Sequence, residues 1–234
     1  MQKKKNTAKF LGIAYLIQFI ASFLSTPLFD TALGSGTISE KLTNLSNNIL
    51  LLHTSIVVQL ITCSGIAMMT ILLYVVLEKE NKPMALLALS FWLMNVVFLA
   101  ISSIGAYALA PLSAEYVLAG SPNPSYFLTL SIIFLGFKEF AFTLHMLFFA
   151  MGGILWYYLF YRSKKIPKYL ALWGFIFIAL MPIDLTLALF GFGLDSIWRM
   201  ISFLPYIPYI PFEGVMGIWF IVKGLNDTDS NVEG

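Results

Sequence analysis

The stretch NILLLHTSIVVQLITCSGIAMMTILLYVVL (residues 48–77) decides the fold; the charged turn EKENKP (78–83) and then MALLALSFWLMNVVFLAISSIGAYALA (84–110) follow it directly. Neither apolar run contains an Asp, Glu, Lys or Arg. A helix rises 1.5 Å per residue, so about 20 apolar residues cross a hydrocarbon core of roughly 30 Å. Both runs are long enough, and the short polar turn between them makes a transmembrane helical hairpin.

Working outward, four further segments qualify, at 8–26, 140–161, 168–190 and 203–223. Composition agrees. Of 234 residues, 59% are hydrophobic and 11% charged, against about 45–50% and about 25% in a soluble domain. So few charges cannot cover a water-soluble globule of this size. The expected fold is all-α: a single polytopic transmembrane domain over 1–225 with six spans, followed by a polar, acidic, disordered tail at 226–234. Pro27 and Pro111 are read as the ends of the first and third spans. The apolar stretch Tyr126–Phe137 extends the fourth span outward. Lys3, Lys4, Lys5 and Lys9 before the first span make it an uncleaved signal anchor.

The basic residues orient the array, because short cytoplasmic loops are enriched in Lys and Arg. The amino-terminal segment, the 78–83 turn, the 162–168 turn and Lys223 together hold eleven, while Lys41, Lys138 and Arg199 make three on the other side. Both termini are therefore expected in the cytoplasm. Trp156, Tyr157, Tyr158, Phe160 and Tyr161, just before Arg162, read as an aromatic belt at headgroup level.

The sixth span is irregular. Pro205, Pro208 and Pro211 recur every third residue, and three prolines cannot occupy one regular helix, since each lacks an amide donor and clashes with a carbonyl one turn earlier. Regular helix is expected to restart with Pro211 in its first turn, leaving about 20 Å of helix, short of a full crossing. Gly191 and Gly193 close the fifth span.

Ionisable groups within spans are costly, about 2.5–3.5 kcal/mol each at the bilayer centre. Counting residues from the span ends places His53, His145, Asp184 and Glu213 in the outer third of the membrane, with Lys138, Glu139 and Arg199 at or above that level. Glu213, at a helix start, gains from the positive end of the helix dipole. Three readings of this cluster stay open. It is a structural network of paired charges, a site for a small amphipathic ligand or lipid, or a metal-dependent intramembrane hydrolase with His53, His145, Asp184 and Glu213 as ligands of an activated water. A haem held between His53 and His145 is a further arrangement of the same residues. The lone cysteine, Cys63, excludes an intrachain disulfide. Gln18 and Asn95, near mid-membrane, read as interhelical hydrogen bonders, and Gly152, Gly153 and the Ser102, Ala106, Ala110 stripe as close helix contacts. No catalytic signature is present, and the balance favours a non-enzymatic protein. The expected partners are membrane lipids and a small amphipathic ligand, with no nucleic acid and no cofactor; oligomeric state does not follow from the sequence.

Several motifs in order carry a family likeness. They are Leu144-His145-Met146 running to Gly153, the turn Tyr161-Arg162-Ser163-Lys164-Lys165-Ile166-Pro167-Lys168-Tyr169-Leu170 to Gly174, and Phe212-Glu213-Gly214 to Trp219-Phe220-Ile221-Val222-Lys223-Gly224. The segment Leu77 to Leu89 adds a charged Asn-Lys-Pro turn. With these, the chain resembles the bacterial membrane family catalogued as domain of unknown function 4386. The resemblance implies six spans in a bacterial cytoplasmic membrane and no assigned activity. It also implies arginine as the usual residue at the position of His53, which favours a charge pair with Glu213 or Asp184 over a metal, because arginine is a poor ligand and a good carboxylate partner.

Overall fold

A computed structural model describes residues 2–120, 124–190 and 206–226, with side chains throughout except at positions 2–4, 124, 184, 188 and 189. Seven helices account for nearly all of these residues: α1 (Gln2–Leu33), α2 (Ile38–Asn47), α3 (Ile49–Leu77), α4 (Lys82–Leu118), α5 (Pro124–Ser163), α6 (Lys168–Leu189) and α7 (Tyr206–Val222). The described residues contain no strand. Five helices, α1 and α3 to α6, are long and apolar enough to cross a membrane, and α7 is a shorter apolar helix. The chain is thus an all-α polytopic bundle. Large apolar side chains such as Phe23, Ile104 and Ile132 stand outward and exposed, which suits contact with lipid and not with water.

Helix ends correct the sequence reading at Pro27, at Pro111 and at the start of the last helix, and bear it out at Tyr126–Phe137. Pro27 does not stop the first helix, which continues to Leu33, and Pro111 does not stop α4, which runs to Leu118. Each proline removes one backbone bond, and membrane helices tolerate that loss when neighbouring groups take up the freed carbonyl. The true ends are marked by left-handed residues instead, Gly34 after α1 and Gly120 after α4, the usual way to terminate a helix. The stretch Tyr126–Phe137 is continuous with the fourth span in a single 40-residue helix. Helix α7 begins at Tyr206, five residues before the expected restart at Pro211. Pro208 then lies in the first turn, where no amide donor is required, and only Pro211 removes an intrahelical bond. Gly191, Gly193, Pro205 and residues 227–234 lie outside the described residues.

Helix α2 has no counterpart among the expected spans. Thr37 caps it: its hydroxyl accepts from the Glu40 amide at 3.3 Å, and its own amide donates to the Glu40 carboxylate at 2.7 Å. Leu42 and Leu45 are the buried residues of its apolar face.

Contacts divide the chain into two compact units. Unit 1 comprises 1–17, 65–95 and 145–234; unit 2 comprises 18–64 and 96–144. In unit 2, Leu42 and Leu45 of α2 join Phe29, Leu52, Ala106, Leu109 and Leu112 in one core. Ser102, Ala106 and Ala110 are all buried. Ser102 donates from its hydroxyl to the Lys138 carbonyl at 3.1 Å, and Gly105 lets the backbone at Lys138 approach α4 closely.

Unit 1 is built on aromatic packing. Trp92 and Phe149 stack with ring centroids 5.5 Å apart, and the Trp92 indole donates to the Phe149 carbonyl at 2.9 Å. Helix α6 packs on α7, where the Trp173 indole donates to the Pro208 carbonyl at 3.0 Å and its ring lies 5.5 Å from Phe212. At Gly12 a Cβ would come within 2.6 Å of the Gly217 carbonyl oxygen, so two glycines let α1 and α7 meet backbone to backbone. Lys165 pairs with Glu80 at 2.9 Å, and Asn226 donates to the carbonyls of Lys164 and Lys165, each at 2.9 Å.

Candidate functional site

The acid of α7 sits in unit 1. Glu213 is buried, at 8% exposure, and one turn earlier on the same face Tyr209 places its hydroxyl in hydrogen-bonding reach of the carboxyl. The Tyr209 hydroxyl lies 3.2 Å from that of Tyr157 on α5, which in turn lies 3.4 Å from that of Tyr15 on α1. Tyr15 and Tyr157 are fully buried and Tyr209 nearly so. Three helices therefore contribute phenols to one line of hydrogen bonds ending on a carboxyl. A phenol both donates and accepts, so the line can run Tyr15 to Tyr157 to Tyr209 to an ionised Glu213 with every hydroxyl used.

Aromatic side chains enclose this line. Tyr209 meets Phe149 edge-on at 5.8 Å, Tyr157 meets Phe212 at 5.2 Å, and Tyr15 lies 5.6 Å from Phe220. The rings of Phe149, Phe212 and Phe220 bring no competing polar atoms to the hydroxyl groups, and the low local polarity strengthens the bonds that are made.

His145, also in unit 1, is buried at 7% exposure, stacks on Phe149 at 6.4 Å, and places Nδ1 3.3 Å from the main-chain carbonyl of Asn95 on α4. A carbonyl only accepts, so Nδ1 carries the proton. Two rings in sequence, Phe149 and Tyr209, connect His145 to the turn that holds Glu213. Asn95 itself departs from the sequence reading: its side-chain amide is wholly buried with no hydrogen-bond partner on either Nδ2 or Oδ1, and only its main chain joins a neighbour.

His53 belongs to unit 2, is exposed, and stacks on Tyr107 at 6.1 Å. Lys138 and Glu139 also belong to unit 2; the Lys138 ammonium lies 4.0 Å from the centre of the Phe29 ring and is near Asp30 and Glu139. Asp184 falls within α6, but its side chain, and Arg199 altogether, lie outside the described residues. Glu213 occupies the eighth position of α7, two turns in, and the dipole benefit expected for a helix start fades within the first turn. Among the described residues no three of His, Cys, Asp and Glu come together as a metal ion would require.

Sequence reasoning missed four members of these groups. Tyr157 was assigned with Trp156 to a headgroup belt, yet both are fully buried, and only Tyr158 and Tyr161 of that run are exposed. Tyr15 carried a usable signal, a phenol at mid-helix, away from the interface that tyrosine favours; Tyr209, the fourth residue of α7, carried none. Asp30 lies beyond Pro27, the expected end of the first span, and is not among the sequence candidates.

Long apolar helices with a buried acid and an internal hydroxyl network define a multi-pass helical membrane protein. The chain belongs to the family described as Domain of unknown function (DUF4386), whose model matches residues 10–224. No curated protein and no solved structure matches the chain.

Proposed function

We propose that the protein lies in a bacterial cytoplasmic membrane with both termini cytoplasmic, and that it is a non-enzymatic binding protein for a small amphipathic molecule or lipid. The orientation is supported by eleven basic residues on one set of segments against three on the other. The binding reading is carried by one observation: Glu213, an acid inside an apolar helix, anchors hydroxyl groups drawn from α1, α5 and α7. An acid in a membrane helix is expensive, and such residues mark ligand or ion sites more often than not. The polar end of an amphipathic ligand docks at this acid and its phenols, while the surrounding Phe and Trp side chains accept apolar parts.

The full-length protein and its Glu213→Gln variant, purified in mild detergent, give the test through mass spectrometry of the bound organic fraction. A hydrogen bond to a charged group is worth about 1.5–3 kcal/mol, so the variant should retain about tenfold less of the bound amphiphile, or lower. An identical complement in both proteins, with only the thermal midpoint lowered in the variant, would make the network structural and end the binding reading.

A further inference from the structure

Within unit 1, five buried side-chain N and O atoms among the described residues lack a hydrogen-bond partner, and two of them belong to Asn95. The other three atoms, on Thr70, Trp156 and Trp219, are each a single group on its own side chain. At Asn95 the whole amide is unmet: two N–H donors on Nδ2 and an acceptor on Oδ1, on a side chain with 0% exposure. An amide buried in an apolar bundle without partners is strongly disfavoured, and native structures meet such groups with protein, with water or with a ligand.

The surroundings narrow the choice of occupant. Trp92, one turn before Asn95, is buried, and His145 rests against the Asn95 main chain. A carboxylate or phosphate could only accept and an ammonium could only donate, so either leaves half of the amide unmet and brings a full charge into apolar surroundings. A hydroxyl is neutral and does both. It accepts from Nδ2 and donates to Oδ1 with one oxygen.

We propose that the Asn95 amide, beside His145 on the facing helix, is a binding site for a hydroxyl oxygen, supplied either by a trapped water or by the alcohol of a lipid glycerol. This inference stands apart from the reading of Glu213, since it needs neither that residue nor its tyrosines. A glycerol alcohol bound here would make the site part of lipid recognition, whereas water would make it a fixed element of the bundle.

The experiment uses the full-length, 15N-labelled protein in vesicles of phosphatidylethanolamine and phosphatidylglycerol. The Asn95 side-chain NH2 signal is identified by its absence in Asn95→Leu. Magnetisation transfer from this signal to the water resonance supports the proposal with water as the source. Transfer to glycerol protons, abolished by lipids deuterated in the glycerol, supports it with lipid as the source. Transfer only to aliphatic and aromatic protons of the protein overturns it. A second readout is the thermal midpoint: an occupied amide loses its hydrogen bonds in Asn95→Leu and the midpoint falls or holds, whereas an increase shows that the amide was unmet and overturns the proposal.

Discussion

Replacing Gly12 with alanine sets two known effects against each other. Alanine is a better helix former than glycine by about 1 kcal/mol, so with open space beside it the variant gains stability. Gly12 has no such space: a Cβ would lie 2.6 Å from the Gly217 carbonyl oxygen, 2.7 Å from Ile221 Cγ1 and 3.0 Å from the Ile221 amide nitrogen. Two of those atoms are backbone, so α7 as a whole must move away from α1. Overpacking costs about 1–3 kcal/mol, and a rigid neighbour puts this case in the upper part of that range. The net effect is a loss of about 1–2 kcal/mol, or a midpoint lower by roughly 2–8 °C for a chain of this size. Gly136 on α5, where a Cβ would meet nothing within 4 Å, supplies the control: the same substitution should raise the midpoint by about 2–4 °C. Heating in detergent can be followed by tryptophan fluorescence, since Trp92 and Trp156 are buried in unit 1, and by labelling of the buried Cys63 thiol in unit 2. If Gly12→Ala rises alongside Gly136→Ala, the close approach of α1 and α7 is wrong.

Removing one hydroxyl from the tyrosine line, in Tyr157→Phe, deprives both Tyr15 and Tyr209 of a partner and should lower stability by about 1–3 kcal/mol, measurable as a falling midpoint in the same assay. Trp92→Phe keeps a ring against Phe149 but loses the indole bond to its carbonyl, for a loss of about 1 kcal/mol or more where that carbonyl stays unmet. At the α2 cap, the Thr37 backbone amide and then its hydroxyl hold the Glu40 carboxyl below the usual carboxylate range. A lowered folded-state pKa contributes stability above the unfolded value and loses it as pH falls through the folded one. Acidification below the carboxylate range should therefore raise amide exchange across 38–47, after correction for intrinsic rates, and Glu40→Gln should flatten that dependence.

Hydropathy made the long helices legible, because a lipid-facing side chain needs only to be apolar, and residues 48–77 are mostly apolar with no Asp, Glu, Lys or Arg. Their ends were less so. Pro27 and Pro111 read as stops under rules framed for isolated helices, while Gly34 and Gly120, the left-handed residues that do end those helices, look in sequence like any other glycine. Helix α2 offered the Thr37–Glu40 capping pattern and the Leu42, Leu45 spacing, but its length falls below that of a span. Glu213 and His145 drew notice because ionisable groups are rare in spans. Tyr15, Tyr157 and Tyr209 did not, since a phenol is unremarkable until the packing of α1, α5 and α7 brings three hydroxyl groups together. Counting residues along a helix gives height but not azimuth or the starting point of an irregular helix, and both were needed for Glu213.

The 40 residues of α5 carry one further geometric meaning. At 1.5 Å per residue its axis is about 60 Å long, and even a lean of 40°, the far end of what membrane helices adopt, leaves about 46 Å measured along the bilayer normal. With roughly 30 Å of hydrocarbon available, about four turns of the leaning helix, at 5.4 Å per turn, have to stand among the lipid headgroups or beyond them. Whatever meets the protein from the aqueous phase therefore finds an ordered helical post as well as loops.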